Sequence, residues 1–165
     1  MSVDKERIAL FHEICANGKL DLISRMLKET PALINAKDKL GWAAIHVTLY
    51  NQQYEAAKLL LQHPDVAVFI LNNDLATPFH FAVKTQEEKP PSALYSVLEL
   101  LLEKGASINS QQKSGYTALH EVCQKGNHKI ARWLLDHKIN LELKSKYVSH
   151  CQVTFRVSNT DLVSS

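Results

Sequence analysis

Four histidines recur in one short setting, each closing a block ahead of a leucine-rich segment: Ala9-Leu10-Phe11-His12, Ala43-Ala44-Ile45-His46, Thr77-Pro78-Phe79-His80 and Thr117-Ala118-Leu119-His120. Histidine titrates near neutral pH and ligates metals, so these residues invite a catalytic or zinc reading. Their spacing argues against both. His120 with Cys123, or His150 with Cys151, lacks the paired spacing of a zinc site, and no second pair of ligands lies within the usual distance. The steps from one His to the next are 34, 34 and 40 residues. They describe a period of about 33 residues with small insertions, the mark of a stacked repeat. The acid pair Glu87-Glu88 sits in a proline-bearing stretch, where a solvated surface is expected rather than a general acid/base pair held in a cleft. Phosphate-binding glycine loops, a dinucleotide fingerprint and a serine nucleophile elbow are all absent from the sequence. No catalytic residue, cofactor or metal is therefore expected, and the chain reads as non-enzymatic by itself.

The elements that carry these histidines follow from periodicity. After each His comes a short helix, then a turn, then a second helix with apolar residues at helical spacing, as in Leu94, Val97, Leu98, Leu101 and Leu102. The second helices are predicted over Leu20 to Lys28, Tyr54 to Leu61, Ala93 to Glu103 and His128 to Asp136. Asn17-Gly18 and Gly126-Asn127 mark helix-to-helix turns, and Lys104-Gly105 gives a glycine stop. A helix pair of this size cannot bury its own apolar face, so neighbouring pairs must cover it. The third unit carries about seven extra residues near Gln86 to Ser92, and its paired prolines cannot continue a helix; a surface loop is expected there. After Lys146, Cys151, Val153, Phe155 and Val157 alternate with polar residues, which predicts a strand or extended tail.

Composition sets further limits. With 165 residues, 45% of them hydrophobic and 22% charged, the chain has the makeup of one folded domain. No stretch approaches the roughly 18 apolar residues of a membrane span, and the segment Met1 to Arg7 has no apolar signal core. A cytoplasmic or nuclear setting and a monomer are expected. Cys15 and Cys123 share one repeat position and read as small core hydrophobes, with Cys151 the unpaired one outside the repeats. Residues 104 to 146 hold eight basic against three acidic residues, a balance of +5, whereas residues 1 to 103 balance at −3. A basic end attracts an acidic peptide, nucleic acid or an anionic membrane surface, although ordinary solvated helix faces also account for it. Nucleic acid is disfavoured, because no aromatic and basic residues interleave in a recognised module.

These blocks resemble the ankyrin repeat family, whose motif is T-P-L-H near the first helix, L-L-L in the second, and a glycine-containing β-turn between repeats. The best matches are Gly115-Tyr116-Thr117-Ala118-Leu119-His120 with Trp133-Leu134-Leu135, and Thr77-Pro78-Phe79-His80-Phe81-Ala82 with Leu100-Leu101-Leu102. The resemblance implies an all-α solenoid of stacked helix-turn-helix units with β-turn or hairpin connections. The array would span residues 1–146, in units of about 5–37, 38–71, 72–112 and 113–146, followed by an extended tail or the start of a further segment at 147–165. The first unit, with Ala9 for Thr and Arg25 where Leu59, Leu100 and Trp133 stand in the others, reads as an N-terminal cap. The motif His is structural in this family, its ring bonding backbone in the turn region.

The resemblance also implies a function. Ankyrin arrays bind proteins along a concave strip made by the turn tips and the exposed side of the first helices. Carried across by repeat position, the partner-binding residues are Trp42 and Tyr116 at the tips, Phe81 and Glu121 just after the His, and Tyr50, Lys84 and Gln124 four residues after it. The expected role is a non-catalytic protein-protein interaction module, an adaptor, scaffold or targeting domain for a protein or peptide partner. The alternative is the regulatory segment of an enzyme whose catalytic domain lies beyond Ser165. Asparagine hydroxylation is a further expectation from the resemblance, at Asn35 in Leu33-Ile34-Asn35 and at Asn109 in Ser107-Ile108-Asn109.

Overall fold

The computed structural model describes residues 3–84, 91–137 and 139–145. Within them, eight α-helices fall into four consecutive pairs: α1 (Lys5–Ala16) with α2 (Leu20–Glu29), α3 (Ala44–Tyr50) with α4 (Tyr54–Gln62), α5 (Pro78–Ala82) with α6 (Ser92–Glu103), and α7 (Ala118–Lys125) with α8 (His128–Asp136). A 3-10 turn over Pro31–Asn35 follows α2, and no strand occurs among the described residues. Helix periodicity places each second helix to within about two residues, since apolar spacing is what fixes that element. The loop expected around 86–92 and the tail from 147 onward lie largely or wholly outside the described residues.

The short first helices need help to start, and the T-x-x-H block supplies it. Thr117 caps α7 by accepting from His120 N at 3.4 Å, and the His120 ring reaches back, its Nδ1 accepting from Thr117 N at 3.2 Å. Two of the orphan amide donors at the helix start are satisfied by one pair of side chains, the logic of a capping box. His80 repeats the ring half of this arrangement on Thr77 N at 3.2 Å, and His46 on Ala43 N at 3.1 Å.

Stacking then follows the register. α3 packs on α1 and α5, and α5 on α7, making one row of first helices; α4 packs on α2 and α6 in a second row. α8 reaches α6 through Trp133, whose indole donates to Glu99 Oε1 at 3.2 Å. Phe11, Ile45, Phe79 and Leu119 occupy the same position in successive units and are 0%, 0%, 1% and 6% exposed. Each such side chain contributes about 1.5–3 kcal/mol by burial. Arg25 is exposed where Leu59, Leu100 and Trp133 are half-buried, as suits the outer face of an end unit.

The turns between units stack as well. Asp38 N donates to Trp42 O at 2.9 Å, Asn72 N to Ala76 O at 3.2 Å and Gln112 N to Tyr116 O at 2.9 Å, so three turns close in the same way. Neighbouring turns join through Asn73 N to Leu40 O at 3.0 Å and Lys113 N to Asp74 O at 2.7 Å. One cysteine assignment requires correction. Cys15 is a fully buried free thiol, pushed up to about 12 by burial. Cys123 is only half-buried and is disulfide-bonded rather than a free core thiol. Repeat register places a side chain on a face but does not fix whether its thiol is free.

Candidate interaction surface

The histidines are held in structural roles. With Nδ1 of His46 and His80 accepting backbone amides, the ring proton belongs on Nε2. There it donates across the repeat boundary, from His46 to Ile70 O and from His80 to Tyr116 O, each at 3.1 Å. Burial pushes the His46 imidazole down to about 4, only partly opposed by these backbone bonds, and it lowers His12, His80 and His120 in the same direction. His46 and His80, neutral rings whose two nitrogens both meet backbone, are rivets between neighbouring units.

A groove opens beside them. It lies beside α5, which stops at Ala82 after five residues, while α3 has seven and α7 eight. A cavity of about 500 Å³ lies between the ends of α3 and α7. Tyr50, Phe81, Lys84, Glu121 and Gln124, placed on one strip by repeat position, all line it. Leu49, Gln52, Tyr54, Ala82 and Lys125 line it too and were not singled out from the sequence. Tyr54 opens a second helix and Gln52 sits in the turn before it, so a search confined to first-helix positions passes over both. Lys125 was visible as part of the basic half.

The groove has an aromatic wall and a charged wall. Trp42 lies 4.7 Å from Phe81 and 5.2 Å from Tyr50 between ring centroids, and Tyr50 lies 6.3 Å from Phe81. Phe81 is 5% exposed and Tyr50 is 60% exposed, so Phe81 is the floor and Tyr50 the part that solvent reaches. Opposite, the Glu121 carboxylate is buried yet well partnered: its Oε1 accepts from Gln112 Nε2 at 3.0 Å and pairs with Lys84 Nζ at 3.3 Å. Lys84 Nζ also lies 5.3 Å from the centre of the Phe81 ring, a cation-π contact that joins the two walls.

Trp42 and Tyr116 stand differently from the other five. Neither lines the cavity. Trp42 is half-buried against Phe81, Tyr50 and His46, so its ring supports the wall from behind. Tyr116 is half-buried with its ring 5.6 Å from His120. Asn35 and Asn109 lie apart from the groove and stitch units together. Asn35 donates to Asp65 O at 2.6 Å and accepts from Ala67 N at 2.9 Å, and Asn109 accepts from Asn140 N at 2.8 Å.

Comparison with known proteins agrees with this architecture. Residues 11–110 match the family model described as "Ankyrin repeats (3 copies)", and residues 95–135 match that described as "Ankyrin repeats (many copies)". Among curated proteins, the chain is similar to human Rabankyrin-5, 27% identical over 137 residues that cover 80% of this chain and 12% of that protein. It is similar to a probable serine/threonine-protein kinase of Dictyostelium discoideum, 29% identical over 114 residues covering 66% of this chain and 13% of the kinase. A third relative is ankyrin repeat domain-containing protein 53 of Macaca fascicularis, 26% identical over 131 residues, 76% of this chain and 25% of that protein. The chain thus spans at most a quarter of the length of these relatives.

Proposed function

Since the chain belongs to the ankyrin repeat family, whose repeats are non-catalytic protein-binding modules, we propose that it works as an adaptor, scaffold or targeting module that captures a protein or peptide segment along its first-helix row, in the cytoplasm or nucleus. The observation that carries this reading is Tyr50, a large side chain 60% exposed on a packed aromatic floor at the mouth of a cavity. Tyrosine in such a place loses little rotamer entropy on contact and offers both an apolar face and a hydroxyl, which is why it recurs as an interface anchor. His46 and His80, engaged by backbone at both ring nitrogens, offer no general base.

A second reading has a specific observation behind it. The match to the Dictyostelium protein covers 13% of a probable kinase, so arrays of this kind occur beside catalytic domains. Under that reading the groove would bind a segment of the same protein instead of a separate partner.

Affinity capture from a cell extract tests the main reading, with the chain compared against a Tyr50→Ala variant and an outer-face control, Glu103→Ala. Partners held by the groove disappear with Tyr50→Ala and survive the control. Capture unchanged by Tyr50→Ala in a folded protein would place the interaction on another face.

A further inference from the structure

The chemistry of the groove says what kind of segment fits it. Resting on the concave-surface reading above, we infer that the captured segment is an acidic peptide, which lays a bulky apolar side chain against Tyr50 and directs a carboxylate to Lys125.

Three charged side chains among the described residues line the cavity, and they are not equivalent. Glu121 is buried, and its carboxylate is occupied by the Lys84 ammonium at 3.3 Å and the Gln112 amide at 3.0 Å. An incoming cation would have to displace Lys84 from both Glu121 and the Phe81 ring, giving up one desolvated pairing to make another. Lys125 is exposed at the end of α7 and has no ion pair among the described residues. With Lys84 and Glu121 cancelling, the described lining residues keep one positive charge, Lys125 at the rim, where a partner carboxylate reaches it without full desolvation.

The longer-range field has the same sign. Lys125 belongs to the stretch 104 to 146, which carries a balance of +5, against −3 for residues 1 to 103. An acidic segment is therefore steered toward the α7 end of the groove over a distance of about one Debye length, roughly 8–10 Å at ordinary salt. The apolar half of the recognition comes from the opposite wall. Tyr50, Tyr54 and Leu49 line the same cavity as Phe81, with the Tyr50 ring edge-on to Phe81, and this aromatic wall with a small Ala82 beside it accepts an aromatic or long aliphatic side chain. Nucleic acid fits less well, because Phe81 and Trp42 already cover each other and leave Tyr50 as the single exposed ring of this cluster.

The test is selection of displayed random peptides of about twelve residues on the full chain at low salt, followed by fluorescence anisotropy of the enriched peptides as synthetic probes. The inference expects sequences rich in Asp or Glu beside Trp, Phe or Leu, bound more weakly as salt rises. Lys125→Glu should weaken them by about fivefold or more, and Tyr50→Ala by about tenfold or more. Peptides that are neutral or basic, or that bind Lys125→Glu as well as the original, overturn the acidic assignment while Tyr50 sensitivity leaves the groove itself standing. Peptides indifferent both to Tyr50→Ala and to Gln124→Arg, a bulky change at an exposed lining position, overturn the groove reading together with this one. Competition by a single-stranded oligonucleotide of about twelve nucleotides for the same Tyr50-dependent site also overturns it.

Discussion

Leu75 takes the left-handed turn position that Gly41 occupies one unit earlier. Both close the same turn, Gly41 N donating to Asp38 O and Leu75 N to Asn72 O, each at 3.0 Å, with φ of +77° and +59°. Gly115 does so again one unit later, at φ +81°. A leucine side chain costs about 1–2 kcal/mol in this conformation, and glycine gives back about half of that through its freer unfolded chain. Leu75 is 47% exposed, so little packing offsets the strain. Leu75→Gly should therefore raise stability by about 0.5–1 kcal/mol, read as a higher urea midpoint at unchanged slope. A lower midpoint would mean that the leucine side chain contributes contacts worth more than the strain.

Phe69 offers a second substitution of the same kind. It stands where Asn109, and by repeat position Asn35, bond across the unit boundary, and its ring is 64% exposed and reaches the neighbourhood of Gly105 in the next unit. Phe69→Asn should recover a bond to backbone there, stabilising by about 1 kcal/mol. Thermal unfolding of the variant checks it, and a loss of stability would show that the exposed ring has a packing role.

Core register is tested at Phe79. At 1% exposure and 6.4 Å from the Trp133 ring, it ties the third unit to the fourth. Phe79→Ala should cost about 3–5 kcal/mol. A chemical denaturation curve showing less than about 1 kcal/mol would contradict the shared buried position.

The histidine rivets predict an acid sensitivity. His46 is held near 4 when folded, below its ordinary value of about 6.5, so between those values the unfolded chain binds more protons than the folded one. Stability is then full above about pH 6.5, falls as pH drops through the window, and stops falling on this account below about 4. The His46 contribution is roughly 3 kcal/mol at most, and His12, His80 and His120 act in the same direction. Urea midpoints at pH 7 and pH 4.5 should differ accordingly, and His46→Gln should reduce the difference. A pH-independent midpoint would show that these rings are not held neutral.

The sequence by itself determined the repeat, the helix pairs and the candidate strip. A fixed period forces equivalent positions to be buried or exposed together, so Phe11, Ile45, Phe79 and Leu119, and the strip from Tyr50 to Gln124, could be read from one alignment of the chain with itself. What repeat position cannot carry is the difference between copies. Only tertiary structure decided that Trp42 backs the wall, because its ring packs on Phe81 from the next unit. The same holds for Glu121, charged in the sequence yet already neutralised by Lys84, and for Lys125, which has no ion pair among the described residues. The groove itself was illegible for a related reason: its lining comes from α3, α5 and α7 together with the turn and helix start at Gln52 and Tyr54, and a cavity is a relation among elements that no single segment encodes.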